Sequence, residues 1–431
     1  MLDIKNKNPY IILFSYLTFF VTISMIIFTR SFVGLKLLGF RLGEILVAFG
    51  LVLIVFYFVY SIFSNKDYFN FFPKQSFLLL FSLFLFTVFF TGGSLFSQYT
   101  YKASSFLWMI GYLFLGYFFF NQLIFKPVHF YSLALTPFII YIFNSGNYPN
   151  FIMSFFQNYG DKFQFIKGSD VLMAFIFCAF ILKDKFQNKF YFLYYINFLG
   201  ALLLPLFLTL SRASFFSSAL LLFSINISQR KLIKTKVRQY SILLLIGAIL
   251  FILSSIRIAG LPELGQRTGE PILVIQDSVA EVIERKQVKK YVGFYICEGR
   301  LCSEDNTLDW RLDIWFDLMT DQFEKSKILF GFGFNEIFEI MKDPNAPGRL
   351  GRDGLNENVH NHLFTLLGRM GIIGLFSYLF FQYKLLSRLK GNVFIYLIPL
   401  FLVSSFDTTM ESIQFPFLLY FLIGYYYSEK S

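Results

Sequence analysis

Long uninterrupted apolar runs dominate this sequence, as in the segments Leu78–Phe90 and Phe198–Leu210. A helix that crosses a lipid bilayer needs roughly 20 predominantly apolar residues. Only 15% of the 431 residues are charged, whereas about 25% are charged in a typical soluble domain. The sequence therefore predicts an all-α polytopic membrane protein.

The apolar runs predict about 12 transmembrane helices, joined by short connections and by one long loop. Helices 1–9 would lie in residues 1–256, the loop in residues 257–359, and helices 10–12 in residues 360–431. The opening apolar run lacks a small-residue cleavage site, so it is predicted to remain as the first helix. The predicted spans are residues 10–29, 43–63, 76–96, 105–125, 130–143, 169–182, 190–209, 212–227, 241–256, 361–381, 393–406 and 413–427.

Basic residues in short connections predict the orientation, and they explain the net charge of +11 without a nucleic-acid partner. Lys and Arg in short loops favour the cytoplasmic side of a membrane. Alternation of the helices then places both termini in the cytoplasm and residues 257–359 on the opposite side. The connection that holds Arg30, Lys36 and Arg41 disagrees, and a mis-drawn first pair of helices would explain it. The three basic connections are residues 183–189, 230–238 and 384–390.

The long loop holds 18 of the 27 acidic residues of the chain and 13 of the 38 basic ones. A segment that crosses the membrane and folds in water would have this balance. Leu308–Lys325 is predicted to form a helix, because apolar residues recur there at helical spacing. Arg311 lies on or beside the apolar face, either in a functional role or with its stem on apolar surface and its charge paired to a loop acid. The predicted apolar face consists of Leu308, Leu312, Trp315, Met319 and Phe323.

Cys297 and Cys302 lie in the same loop, separated by four residues. In an oxidising compartment they could form a small-loop disulfide, which we favour over two free thiols. Two cysteines without a neighbouring pair of ligands make a poor zinc site. The cysteines therefore predict no metal site.

His360 stands where the long loop meets the tenth predicted helix. On a helix it would share one face with Gly371 and Gly374, and the glycines would let a neighbouring helix approach closely. His362 would then point in nearly the opposite direction, away from the bundle. An imidazole that titrates near neutrality at a membrane mouth is suited to act as a general base. The alternative is a histidine that only caps the helix or anchors it at the interface.

Arg212 interrupts two apolar spans at their non-cytoplasmic ends, within Thr209–Ser214. A Ser or Thr at this place can cap the following helix. An Arg in the first turn faces the positive end of the helix dipole, which is unfavourable without an anion. A helix start that carries a guanidinium is suited to bind phosphate or diphosphate. The alternative is a topological arginine, but such an arginine would favour the cytoplasmic side.

The remaining candidate features are weaker. Gly331–Phe334 alternates glycine with phenylalanine and fits a tight turn on the membrane surface. Asp407 and Glu411 precede the last helix and could hydrogen-bond a sugar or orient His360, although we favour a role in solvating the turn. The sequence contains no Walker motif, no convincing cluster of metal ligands and no G-x-S-x-G elbow.

The pattern resembles the O-antigen ligase and polymerase superfamily of lipid-linked glycan transferases. The most specific match is His360-Asn361, followed after nine residues by Gly371 and after two more by Gly374. This spacing is similar to the histidine motif of the family at full length.

Two arginine motifs add to the resemblance. Ser211-Arg212 resembles the arginine that the family carries at the outer end of a middle helix. Arg311 with Trp315, followed by Gly331–Gly333, resembles the arginine helix and glycine turn of its large periplasmic loop. The recognisable motifs cover roughly residues 205–380 of this chain.

The resemblance implies a GT-C type glycosyltransferase in the bacterial inner membrane, with its active site facing the periplasm. The donor would be a glycan on undecaprenyl diphosphate, and the reaction would be inverting and need neither cofactor nor metal. Arg212 and Arg311 would bind the diphosphate, and His360 would activate an acceptor sugar hydroxyl. The supporting residues would be Asn361, Gly371, Gly374, Trp315 and Asp407.

The acceptor distinguishes the two activities of the superfamily. A ligase uses the outer core sugar of lipid A, and a polymerase uses another lipid-linked repeat unit. Both share these motifs, and the form of the histidine motif favours the ligase. A flippase would place charged or discontinuous segments near mid-membrane, whereas the charges here gather at one face. A scaffold whose loop binds a partner protein would leave Arg212 and His360 unexplained.

Overall fold

The chain folds into a helical bundle in a computed structural model, which describes residues 9–63, 69–122, 126–160, 163–259, 293–297, 299–343, 349, 357–389 and 391–430. The helices before the long loop are α1 (Pro9–Val33), α2 (Leu42–Phe63), α3 (Lys74–Phe90), α4 (Gln98–Ala103), α5 (Ser105–Trp108), α6 (Tyr112–Gln122), α7 (Pro127–Asn144), α8 (Asn150–Tyr159), α9 (Gly168–Leu182), α10 (Lys189–Leu210), α11 (Arg212–Ser228), α12 (Arg230–Thr235) and α13 (Val237–Ala259). Those in and after the loop are α14 (Asn306–Glu324), α15 (His362–Leu386), α16 (Phe394–Ser404) and α17 (Gln414–Lys430).

Helices coincide with all twelve predicted spans, and α5, a short 3₁₀ turn and α6 together make the fourth. Within the part of the chain that the structure describes, five helices are long and apolar enough to cross a membrane, namely α1, α2, α10, α13 and α15. These helices are consistent with a helical membrane protein, while twelve crossings stay a prediction. The amphipathic helix α8 was not predicted, because its ten residues are too few to span a bilayer.

Two helices form the centre of the bundle. Every residue of α9 is buried, and α17 is buried from Gln414 to Ser428. Helix α17 can approach α6 closely because Gly116 and Gly424 have no side chain. A Cβ at either position would collide with the backbone of the other helix. The first residues of α9 and α17 therefore lie at the middle of one end of the bundle.

The predicted cytoplasmic connections meet at one end, which we call the basic end. Lys183 after α9 pairs with Glu429 in α17 at 3.6 Å. Arg388 after α15 donates to the carbonyl of Asn70 before α3. The opposite end, where α9, α11, α15 and α17 begin, is called the histidine end. Lys5, Lys7 and Lys390 lie outside the described residues.

The connection between α1 and α2 lies at the histidine end, where the alternation of the helices places it and against the preference of its basic residues for the cytoplasmic side. Its short hairpin consists of β1 (Lys36–Leu37) and β2 (Phe40–Arg41). Leu35 forms a bridge with Gly160, and the Ser31 hydroxyl donates to the carbonyl of Gln164 at 3.0 Å. The suggestion of a mis-drawn first helix pair is therefore wrong, because both helices lie where the apolar runs predict them.

The described part of the long loop starts with a hairpin of β3 (Phe294–Cys297) and β4 (Arg300–Ser303). The structure pairs Cys297 with Cys302 across it, with 5.9 Å between their Cα atoms. Ser303 leads into α14, which Asp305 caps through a hydrogen bond from the Leu308 N–H. Residues 260–292 of the predicted loop lie outside the described residues.

Helix α14 buries a different face from the predicted one. Met319 and Phe323 are exposed, whereas Ile314 and Leu318 are fully buried. The spacing pointed to the wrong side, because this helix has apolar residues on both sides and only packing against α15 selects one. The buried cluster of the loop consists of Ile314, Leu318, Phe338, Met341 and Val359.

The glycine turn after α14 inserts into the bundle rather than lying on the membrane surface as predicted. Residues 328–333 exchange backbone hydrogen bonds with residues 368–373 of α15. Gly371 breaks α15 there with φ 67°, and a Cβ on Gly331 would touch the backbone of Arg369 at 2.5 Å. The segment that approaches Gly371 is therefore this loop turn and not the neighbouring helix we expected. For Gly374 the nearest neighbour is Met370 of its own helix.

Arg369 fastens the inserted turn to α15. It is 3% exposed and donates to the carbonyls of Gly333 and Glu336 and, at 2.7 Å, to the Tyr99 hydroxyl. Its guanidinium also lies 4.2 Å from the ring centroid of Phe338. Arg369 lies within the tenth predicted span, and contacts with the loop and with Tyr99 satisfy its buried charge.

We expect Arg369→Met to lower the free energy of unfolding by about 3–5 kcal/mol, because it leaves buried acceptors without partners. Thermal unfolding of the purified protein in detergent measures the loss. Lys342→Met is the matched control, since the exposed ion pair of Lys342 with Glu336 contributes about 0–1 kcal/mol. Equal stability of the two variants would contradict the fastening role.

Candidate active site

His360 lies just before α15 and not on it. Its backbone is left-handed, with φ 56°, and the helix begins at His362. Asn361 caps the helix, because its side-chain oxygen accepts the N–H groups of Leu363 and Phe364. Its amide nitrogen also donates to the carbonyl of Ser405 at 2.8 Å. Asn361 thus fixes both the start of α15 and the chain segment that carries Asp407.

His362 is the histidine that faces the bundle, so the predicted orientation of the two histidines is wrong. Its side chain is 6% exposed and lies 3.3 Å from the Glu411 carboxylate. The rings of Phe106 and Tyr378 contact it edge to face. The prediction placed both histidines on one helix, and the left-handed residue at 360 removes that relation.

Helix α14 holds His360 in place through two tryptophans. The ring of Trp310 lies 4.7 Å from the His360 ring. The indole N–H of Trp315 donates to the carbonyl of Val359 at 2.6 Å, and its ring stacks on Phe364 at 4.7 Å. The backbone on both sides of His360 is therefore anchored, by Trp315 before it and Asn361 after it.

Arg311 stands between these two tryptophans and reaches the connection before α17. It donates to the carbonyl of Phe406, the residue before Asp407. The charge of Arg311 acts on both His360 and Asp407. The structure therefore brings Arg311, His360 and Asp407 together.

Asp407 does not merely solvate a turn, so the role that we favoured is wrong. Its carboxylate is 19% exposed and accepts the Ser169 hydroxyl at 2.6 Å. Lys167 lies 3.7 Å away, directly before α9. Burial disfavours ionisation of Asp407, but Lys167, Ser169, Arg30 and Arg311 outweigh it and lower its pKa to about 2.

The charged cluster beside His360 consists of Arg311, Asp407, Arg30, Lys167 and Asp170. Sequence reasoning missed the last three as members of this cluster. Asp170 is 5% exposed in the first turn of α9 and accepts a hydrogen bond from Gln414 at 3.3 Å. The charge of Arg30 acts on Lys167, Asp407 and His360. One signal could have found Arg30, since its position violates the positive-inside rule in the same way as that of Arg212.

Arg212 lies at the rim of the cluster. Its side chain is 65% exposed and pairs with Asp305 at 2.7 Å. The charge of Asp305 also acts on Arg311, so this carboxylate links the two arginines. Ser211 caps α11 by accepting the N–H of Ser214, as its position in the sequence predicts.

Helix starts add positive potential to the same place. A Cβ on Gly168 would lie 2.9 Å from Ser211 Cβ and Ser214 Oγ, so α9 and α11 begin side by side. Helix α15 begins next to His360. Helix N-termini carry partial positive charge and exposed N–H groups, so their convergence favours an anion.

The electrostatic surroundings keep His360 neutral. Burial and the positive charges of Arg311, Lys167 and Arg30 lower the pKa of its imidazole to about 3, against the opposing effect of Asp407. A neutral imidazole can accept a proton. An anion bound among these cations would raise the pKa of His360 again, which would strengthen the base where it is needed.

Residues 197–379 match the model of the O-antigen ligase family. The match covers less than half of the chain, and we call residues 197–379 the O-antigen ligase domain. This match confirms the resemblance to the O-antigen ligase and polymerase superfamily, and it implies a function of the ligase or polymerase type. No curated protein matches the chain at a significant level.

The O-antigen ligase domain contains some of the cluster and not the rest. Arg212, Arg311 and His360 lie inside the matched residues 197–379. Arg30, Lys167, Asp170 and Asp407 lie outside them. The folded chain therefore surrounds the histidine and arginine motifs of the domain with charges from the segments before and after it.

We expect acid to destabilise the protein partly through His360. Between pH 6.5 and pH 3 the unfolded chain binds a proton at this imidazole and the folded chain does not, so stability falls as the pH falls. Unfolding temperatures in detergent at pH 6.5 and pH 4.5 measure the effect. The drop should be smaller in His360→Gln than in the unsubstituted protein, and Lys342→Gln should leave it unchanged. Equal drops in all three proteins would show that the fold does not lower the pKa of His360.

Proposed function

We propose that the protein is a metal-independent inverting glycosyltransferase of the bacterial inner membrane. It would transfer a glycan from undecaprenyl diphosphate to an acceptor sugar hydroxyl at the periplasmic face. The observation that carries the proposal is the gathering of a neutral imidazole and several cations at one end of an O-antigen ligase domain.

The geometry of the cluster supports a division of roles. His360 accepts the proton of the acceptor hydroxyl as its oxygen forms a bond to the anomeric carbon of the donor. The bond from that carbon to the phosphate oxygen breaks, and its electron pair stays on the diphosphate. Arg311 stabilises this leaving charge, and Arg212 at the rim binds the same diphosphate. No step requires a metal, because the guanidinium groups supply the positive charge.

A ligase is favoured over a polymerase within this proposal. The matched family is described as O-antigen ligase, and the histidine motif has the ligase form. The acceptor would then be the outer core sugar of lipid A. A flippase is disfavoured, since the buried charge in mid-helix, Arg369, is occupied by contacts with the loop turn.

We expect His360→Ala, Arg311→Ala and Arg212→Ala each to lower surface glycan at least about 100-fold, because each removes a group that acts on the reacting bonds. Glycan on whole cells is measured by gel electrophoresis, and membrane protein levels by immunoblot. Lys102→Ala is the matched control, because Lys102 is an exposed cation at the same end, paired with Glu357 at 2.8 Å. Normal glycan in the His360 variant would contradict its role as the base.

A strain that lacks the protein separates ligase from polymerase. If the protein is a ligase, long glycan chains accumulate on the carrier lipid and the final acceptor carries none. If it is a polymerase, single repeat units are found on the final acceptor. We expect the first profile, and the second would overturn the choice of ligase while leaving a glycosyltransferase.

A further inference from the structure

Arg30 and Lys167 bring two cations to the cluster from outside the O-antigen ligase domain. Arg30 ends α1, and Lys167 precedes α9. Their charges act on each other, on Asp407 and on His360. Like charges repel, so two cations that act on one another need anions to balance them.

The backbone holds Arg30 firmly at this position. Thr29 is 3% exposed and adopts φ 44° and ψ −115°, which breaks α1 one residue before Arg30. Ser31, one residue after it, donates to the carbonyl of Gln164 and accepts the N–H of the same residue, both at 3.0 Å. Such backbone strain in a buried residue persists only where the surrounding structure enforces it, and it concentrates at functional sites.

The carboxylates of Asp407 and Asp170 do not satisfy all the hydrogen-bond donors of the cluster. Within the described residues, buried donor atoms with no hydrogen-bond partner include the Nε of Arg30, the Nε of Arg311 and the hydroxyl of Ser214. Ser214 lies in the first turn of α11, against Gly168. Buried donors without partners are costly, and the oxygens of a bound anion are acceptors of the kind that these donors lack.

We propose that Arg30 and Lys167, together with Arg311, bind the diphosphate of the lipid-linked donor, and that Asp407 positions Lys167 for this contact. The inference rests on the proposed function and extends it to residues that the family match does not include. It also gives a role to Arg30, one of the three basic residues that disagreed with the predicted orientation.

Charge balance during the reaction explains the need for extra cations. A diphosphate esterified to lipid and to sugar carries two negative charges, one on each phosphate. When the bond to the anomeric carbon breaks, the electron pair of that bond remains on the phosphate and a third charge develops. Arg311 offers one positive charge, and Arg212 at the rim shares its charge with Asp305. Arg30 and Lys167 supply two more, of which Asp407 offsets one.

The competing explanation is purely structural: Arg30 and Lys167 would only neutralise Asp407 and Asp170. That role requires their charges but no ligand, so it predicts a loss of stability and no specific loss of diphosphate affinity. Binding of a defined lipid measured on folded variants therefore separates the two explanations.

The experiment measures binding of undecaprenyl diphosphate to the purified full chain in lipid nanodiscs. The variants are Arg30→Gln, Lys167→Gln and Arg311→Gln, with Arg30→Lys and Lys167→Arg as charge-preserving substitutions. Lys36→Gln is the matched control, because Lys36 is an exposed cation in the connection that follows Arg30. Undecaprenyl monophosphate and inorganic pyrophosphate serve as competitors, since they separate the contributions of the second phosphate and of the lipid. Size-exclusion profiles and unfolding temperatures identify variants that fold.

We expect Arg30→Gln and Lys167→Gln to weaken binding of undecaprenyl diphosphate about 10- to 100-fold, the effect of losing one charge-assisted contact. Arg30→Lys and Lys167→Arg should recover most of the affinity, and Lys36→Gln should bind like the unsubstituted protein. Arg30→Gln should weaken the binding of undecaprenyl monophosphate less than it weakens the binding of undecaprenyl diphosphate. If Lys167→Gln fails to fold, Arg30→Gln and Lys167→Arg still decide the outcome.

Normal binding by Arg30→Gln, with binding lost in Arg311→Gln, would overturn this inference and leave the proposed function standing. Normal binding by Arg311→Gln as well would contradict the proposed function itself. Weakened binding that follows unfolding temperature across the variants, the Lys36→Gln control included, would support the structural explanation and overturn ours.

Discussion

The partial burial of three cationic side chains near Asp407 is the constraint on which the site depends. Arg30, Lys167 and Arg311 come from α1, from the start of α9 and from the loop helix α14. Charges in a partly buried place are tolerated only when anions balance them and hydrogen bonds satisfy them. The cluster therefore forms only when distant parts of the chain have reached their final places, which couples the completed site to the completed fold.

Docking of the long loop fixes the position of the imidazole. The turn at residues 328–333 pairs with the broken part of α15, and Arg369 fastens it there. Helix α14 then lies where Trp315 can hold the backbone before His360. Glycine at 331 and 371 follows from this arrangement, because side chains at either place would collide with backbone. The glycine turn of the loop and the glycine of the histidine motif, which are far apart in sequence, thus belong to one contact.

Helix positions could be predicted because the length of an apolar run is a local property, and the cap at Ser211 because capping depends on adjacent residues. Side-chain directions could not be predicted where the backbone departs from the helix, as at His360 with φ 56°. The buried face of α14 depended on packing partners far along the chain. Arg30 was misread because we treated its charge as a topological irregularity, although the same reasoning had marked Arg212 as an anion-binding residue.

The most direct measurement is the structure of the full chain in lipid nanodiscs with bound undecaprenyl diphosphate, determined by electron cryo-microscopy. Our account predicts both phosphates within hydrogen-bond distance, about 3 Å, of Arg311, Arg30 and Lys167, at the end of the bundle that carries His360. Phosphates bound at the basic end would contradict it, and so would phosphates that contact Arg212 but neither Arg30 nor Arg311.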